Sequence, residues 1–213
     1  MPAAPAPADP DLRAHIQAER ARLADLLATL TPAQWDAPSL CAGWRVREVV
    51  AHLTLPFRTS APRFFAGFAA ARFSINRYAD TAARRDTARM TEADLLRALR
   101  DNIDHPWQPP GGGPVGALSH DVIHGLDITE PLGLPPAPTD RIAVVLAHTR
   151  TSPRSLAFFG VDLTGVRLRA TDADFQVGAG APVALPAKEL LLVLTGRRPV
   201  PMPERTGEPT PRS

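Results

Sequence analysis

The chain has 213 residues, of which 44% are hydrophobic and 22% charged, with 24 basic against 22 acidic side chains. A formal charge of +2 leaves no broad cationic face for nucleic acid, and a single cysteine excludes an intrachain disulfide framework and a cysteine-rich zinc cluster. No stretch reaches the ~18 unbroken apolar residues of a membrane helix, and the opening MPAAPAPADP lacks the parts of a secretory signal, so a soluble cytoplasmic protein is expected.

The first predicted helix starts at Asp9-Pro10-Asp11, where a carboxylate at the N-cap and a proline at the first helical position both favour initiation. Leu12, Ile16, Leu23, Leu26, Leu27 and Leu30 recur at helical spacing, which predicts one apolar stripe with the charges opposite. Thr31-Pro32 ends it and opens a short turn carrying Trp35. After a loop from Pro38 to Gly43, a second helix is expected near Trp44 with Val46, Val49, Val50 and Leu53 inward, kinked or interrupted by Pro56 and Pro62. Phe57, Phe64, Phe65, Phe68 and Phe73 carry an apolar face on toward residue 78. Thr91-Glu92-Ala93-Asp94 reads as a capping box before the stripe Leu95, Leu96, Leu99 and Ile103. His105 to Pro114, rich in Pro and Gly, is predicted to be a long loop of the kind that lines sites. The next helix runs from about Val115 to Glu130, stopped by Pro131 and Gly133. Another spans about Thr139 to Phe159, with Ile142, Val145, Leu146, Leu156 and Phe159 apolar and a break at Pro153.

The period changes after Gly160. Val166 to Ala170 alternates in twos, as does Phe175 to Gly178, so strands are expected there, with turn chemistry over Ala179 to Val183. Pro186 to Thr195 reads as an amphipathic helix ending at Gly196. The organisation expected is a helical bundle over 9–159, a small α+β subdomain over 160–198, and flexible tails at 1–8 and 199–213.

Three of the six histidines fall in suggestive places. His120 and His124 are four apart on one helix and so share a face, while His52 lies among aliphatics on another helix. Metal sites in bundles are built from such inward side chains on facing helices. The spacing by itself also admits a core histidine with a backbone partner and a solvated H-x-x-x-H pair.

The run Leu40-Cys41-Ala42-Gly43-Trp44-Arg45-Val46-Arg47-Glu48-Val49-Val50-Ala51-His52-Leu53 resembles the N-terminal signature of the mycothiol-dependent maleylpyruvate isomerase family, within the DinB-like superfamily. His120 to Ile128, continuing to Leu132-Gly133, resembles its second signature. Ala170-Thr171-Asp172, Val177-Gly178, Pro182-Val183 and Leu190 to Arg197 resemble its C-terminal run. The resemblance implies a mainly α fold, a DinB-like up-down four-helix bundle followed by a small α+β C-terminal subdomain. It also implies that His52, His120 and His124 are ligands of a divalent metal, zinc foremost, with nickel or iron as alternatives. One position departs from the pattern: the isomerase branch has a glutamate where this chain has His120. Three neutral imidazoles leave the metal one charge more positive than two imidazoles and a carboxylate would.

The co-substrate implied is mycothiol, whose metal-activated thiolate would attack a small electrophile, giving either S-transfer or cis–trans isomerisation. Trp44 and Arg45 would line the thiol site, and Arg197 would hold an acidic substrate as a C-terminal arginine does in the isomerase relatives. Asp127, one turn past His124, would orient an imidazole. Cys41 reads as a small buried hydrophobe, and His15, His105 and His148 match no motif. Two alternatives stay open: a hydrolase in which the metal activates water, and a non-catalytic metal-binding or regulatory module. The expected partners are a small thiol and a small electrophile, with neither nucleic acid nor membrane, and the protein a monomer or homodimer.

Overall fold

The computed structural model describes residues 10–202 except 150 and 152. The N-cap expected at Asp9, the leader 1–8 and the tail from 203 onward lie outside the described residues. Among the described residues the fold is mainly helical, with a two-stranded sheet near the C-terminus. Contacts divide the chain into two compact units between Ala137 and Pro138. That division precedes the 159/160 boundary suggested by the change of period, because the helix after Pro138 has its packing partner in the second unit.

In the first unit, α1 (Pro10–Leu27) buries Leu12, Ile16, Leu23 and Leu27, but its inner face is not purely apolar. Glu19 and Arg20 are buried as well, since each stands three or four residues from both Ile16 and Leu23 and so shares their face. The expectation that all charges lie opposite the stripe is corrected accordingly. α2 (Pro32–Trp35) is a single turn capped by Thr31, and it sets Trp35 into the core.

α3 (Val46–Arg58) is buried on every side, through Val46, Val49, Val50, Ala51, Leu53, Thr54 and Leu55, as befits a central helix. Pro56 is accommodated in its last turns, and the chain breaks instead at Thr59-Ser60. α4 (Ala61–Ala70) has no buried residue. Phe64 and Phe68 lean on Leu55, Ala71, Tyr78 and Ala82, whereas Phe65 and Phe73 are 66% and 73% exposed. The single apolar face expected from Phe57 to Phe73 is therefore split, because the chain turns between α3 and α4 and again at Arg72-Phe73, where both residues have positive φ. α5 (Ile75–Thr87) escaped the periodicity because its inward residues are Tyr78, two alanines and Asp86, with no aliphatic stripe to show it.

α6 (Glu92–Arg100) starts at the expected capping box, in which the Thr91 hydroxyl accepts from the Asp94 N–H and the Asp94 carboxylate accepts from the Thr91 N–H. After a segment without helix that carries Trp107 comes α7 (Gly113–Leu132), longer at both ends than expected. Pro131 does not stop it: the carbonyl its missing N–H would have bonded, that of Asp127, accepts instead from the Leu40 N–H at 3.0 Å. α1 packs on α6 and α7, and α3 on α5, α6 and α7, around a core that includes Leu23, Leu27, Val49, Leu53, Leu95 and Ile128.

In the second unit, the span expected from Thr139 to Phe159 is divided into α8 (Thr139–His148) and α9 (Pro153–Phe158), the second starting at Pro153, where a break was expected. Phe159, named among the apolar residues of that span, is 42% exposed. β1 (Thr164–Ala170) alternates as expected, burying Val166, Leu168 and Ala170. β2 (Gln176–Leu185) takes in the segment expected to turn, and its pairing with β1 changes sense there, so the chain reverses direction within it. It pairs in parallel register from Thr164 with Ala179 to Ala170 with Leu185, while Arg167 with Gly178 and Arg169 with Gln176 pair in the opposite sense. Gly178 and Gly180, at φ 86° and 130°, permit this, since a Cβ at either would run into the carbonyl oxygen of Val166 or Gly165. α10 (Ala187–Leu194) packs on α8 and β1. Among the described residues no helix is long and apolar enough to cross a membrane.

Candidate metal centre

The packing of α3 on α7 brings His52 against His120 and His124. The ring centroids form a near-equilateral triangle, with sides of 5.0 Å from His52 to His120, 4.8 Å from His52 to His124 and 4.9 Å from His120 to His124. Nε2 of His52 and Nε2 of His120 are 3.3 Å apart, and one nitrogen from each of the three rings lies within 4.8 Å of the others. Two imidazole nitrogens that share a tetrahedral zinc at about 2.0–2.1 Å stand roughly 3.3–3.4 Å from each other. The observed pair has that spacing.

The other ring nitrogens explain the orientation. His120 Nδ1 faces Asp121 Oδ1 at 3.2 Å, and His124 Nδ1 faces Asp127 Oδ2 at 2.9 Å. A carboxylate can only accept, so it draws the proton to Nδ1 and leaves the Nε2 lone pair for the centre. His52 Nδ1 is buried without a partner among the described residues. Burial first, then the neighbouring His124 and His120, holds the His52 pKa well below its ordinary value, against a smaller opposing pull from Asp127. This ring is neutral at neutral pH. Lone pairs that face each other at 3.3 Å repel unless a cation or a proton lies between them, so the donor set fits a divalent metal.

The surrounding side chains fix this arrangement. Asp127 is fully buried, and its Oδ2 also accepts from the Cys41 thiol at 3.0 Å. Cys41 is thus a hydrogen-bond donor at the edge of the site, which corrects its reading as a plain hydrophobe. The Leu40 bond to the Asp127 carbonyl ties the same loop to α7. Trp44 stands 5.3 Å from the His52 ring, and its Nε1 donates to Asp80 at 2.8 Å. Trp107, from the loop predicted to line a site, stands edge-on to His120 at 5.1 Å.

Arg45, expected beside Trp44, commits its guanidinium to Glu48 at 2.6 Å and Asp36 at 2.9 Å. Arg197 belongs to the second unit, and its Nη1 donates to the Thr195 carbonyl at 2.9 Å. Of the histidines without a motif, His105 packs at a tilt against Phe57 with ring centroids 5.1 Å apart, and His148 Nδ1 bonds the Val144 carbonyl at 2.9 Å. Sequence reasoning passed over Arg20, Asp80 and Trp107, and did not single out Asp121 as a partner of His120. A signal for Arg20 was present: it is a charge placed on an apolar stripe.

Residues 16–120 match the family model of the mycothiol maleylpyruvate isomerase N-terminal domain. The chain belongs to this family. It is thereby a member of the DinB-like superfamily. The match takes in His52 and His120 and ends before His124. A search of curated proteins and of solved structures found no match. The mycothiol maleylpyruvate isomerase family is named for an enzyme of mycothiol-dependent isomerisation, and its signature here divides into structural and site residues. Val46, Val49 and Val50 fill the core. Glu48 caps α3, accepting from the Arg45 N–H at 2.9 Å and the Thr87 hydroxyl at 2.9 Å. Burial alone would raise the Glu48 pKa, but the hydrogen bonds from Arg45 and Thr87 outweigh it and hold the carboxyl below its ordinary value. His52 is the signature residue whose imidazole faces the other two.

Proposed function

We propose that His52, His120 and His124 hold one divalent metal, zinc foremost with nickel or iron as alternatives. On this reading the protein is a mycothiol-dependent S-transferase or cis–trans isomerase acting on a small electrophile. The observation that carries the reading is the 3.3 Å approach of two Nε2 atoms whose rings are neutral or turned by carboxylates. A metal held there would lower the pKa of a thiol reaching its open face, so that the thiolate nucleophile is present at neutral pH.

The remaining work falls to the chain's own residues. Asp121 and Asp127 keep the Nδ1 protons of His120 and His124 in place, which keeps each Nε2 a donor. The Cys41 thiol holds Asp127 Oδ2. Trp44 and Trp107 wall the rings of His52 and His120 and exclude water there.

Elemental analysis of wild type beside His120→Ala, with turnover of a panel of electrophiles measured with and without mycothiol, tests the proposal. About one metal per wild-type chain, none in the variant, and thiol-dependent turnover are expected. A wild type that takes up no metal after reconstitution overturns the site, and equal turnover without thiol overturns the thiol chemistry.

A further inference from the structure

We infer that Arg20 is a positioning residue for this centre, acting on His120 through Asp121; the inference rests on the metal site proposed above. Arg20 lies on α1 and is 1% exposed. Its Nε donates to Asp121 Oδ2 at 2.8 Å, while the other oxygen of that carboxylate faces His120 Nδ1 at 3.2 Å. The guanidinium and the imidazole thus share the two oxygens of one carboxylate.

Nη1 of Arg20 donates to the His105 carbonyl at 2.7 Å and lies 3.4 Å from those of Asn102 and Ile103. The guanidinium sits over the Phe57 ring, 4.8 Å from its centroid. One side chain on α1 therefore meets the end of α3, the segment after α6, and α7.

Stability does not account for an arginine here. A buried guanidinium–carboxylate pair is often no better than apolar side chains of similar volume, and a leucine at 20 would extend the stripe of Leu12, Ile16, Leu23 and Leu27. Nη2 of Arg20 is moreover buried without a partner among the described residues, an uncompensated desolvation. What a guanidinium adds is orientation. With Oδ2 held by Nε, the Asp121 carboxylate cannot rotate, so Oδ1 stays on His120 Nδ1 and the ring directs Nε2 at the centre.

A second route runs through the backbone. Nη1 anchors the carbonyl of His105, whose Nδ1 accepts from the Trp107 N–H at 3.1 Å, and the Trp107 indole stands edge-on to the same His120 ring. Arg20 reaches His120 from two sides without touching it.

The test uses the full chain loaded with Co2+ as a spectroscopic stand-in, its affinity read by chelator competition and its geometry by the visible bands. Arg20→Met, Arg20→Lys, Asp121→Asn and the Arg20→Met/Asp121→Asn double variant are compared with wild type. Arg20→Met and Asp121→Asn are each expected to weaken binding by about 10–100-fold and to shift the bands. The double variant should be no weaker than Arg20→Met, because the route through the Asp121 carboxylate is lost in that variant already and Arg20 carries the second route alone. Arg20→Lys, which keeps the cation and loses the fork, should recover part of the affinity.

Wild-type bands and affinity in a folded Arg20→Met overturn the inference, whatever its thermal stability. If that variant does not fold, the near-isosteric Asp121→Asn decides, and wild-type behaviour in it overturns the inference equally. A wild type that binds no cobalt overturns the metal reading and this inference with it, whereas binding that the variants leave unchanged overturns this inference alone.

Discussion

Asp121 lies between the two histidines of α7 and Asp127 one turn beyond them, and each divides its attention between an imidazole and a second donor. For Asp121 the second donor is the guanidinium of Arg20, and for Asp127 it is the thiol of Cys41. The ion pair at Asp121 is 1% and 2% exposed at its two ends, so removing one end leaves a buried charge without its partner. Arg20→Met should cost about 3–5 kcal/mol of unfolding free energy, whereas Arg20→Met/Asp121→Leu should recover most of it. Urea denaturation at neutral pH checks both values. Glu48 offers a pH-dependent case. A carboxyl held below its ordinary value adds stability that is present in full above the unfolded-chain pKa of about 4.3 and lost as the pH falls through the folded-state value. Glu48→Gln should therefore be less stable than wild type at pH 7, and the gap should narrow below about pH 4. A gap constant with pH in urea titrations would remove the charge from the explanation.

At the scale of elements, α7 lies close to α1 because Gly125 leaves room. A Cβ there would stand 3.1 Å from Leu23 Cδ2 and 3.3 Å from Glu19 Oε1, tighter than ordinary contact. Gly125→Val should cost about 1–3 kcal/mol through overpacking, readable as a lower urea midpoint with unchanged slope. Legibility also varied from element to element. α1, α3 and α6 announced themselves through leucine and valine stripes or a capping box, because those signals depend on residues within one or two turns. α5 did not, since alanines and one tyrosine pack against α3 without a conspicuous pattern. The turn chemistry read at 179–183 coincides with the reversal of β2, but the strand pairing on both sides of it was not legible, because glycine serves both a turn and a close backbone approach and only the pairing shows that both occur here.

For the molecule as a whole, a metal that binds the folded state and not the unfolded chain must raise its stability by mass action. With free zinc at 100 times its dissociation constant the gain is about 2.7 kcal/mol, and chelation should abolish it in wild type but not alter His120→Ala. Thermal melts with and without zinc and chelator test this. The three histidines were legible because two signature runs carry them, and the helical character because hydrophobic period and caps are local properties. The tertiary structure alone decided which groups share a proton or a carboxylate. Arg20 and Asp121 are 101 residues apart and meet at 2.8 Å; His52 and His120 are 68 apart and meet at 3.3 Å. A hydrogen bond or a ligand set tolerates an error of a few tenths of an ångström, and only the packing of α1, α3 and α7 on a common core places side chains from distant stretches of chain within it.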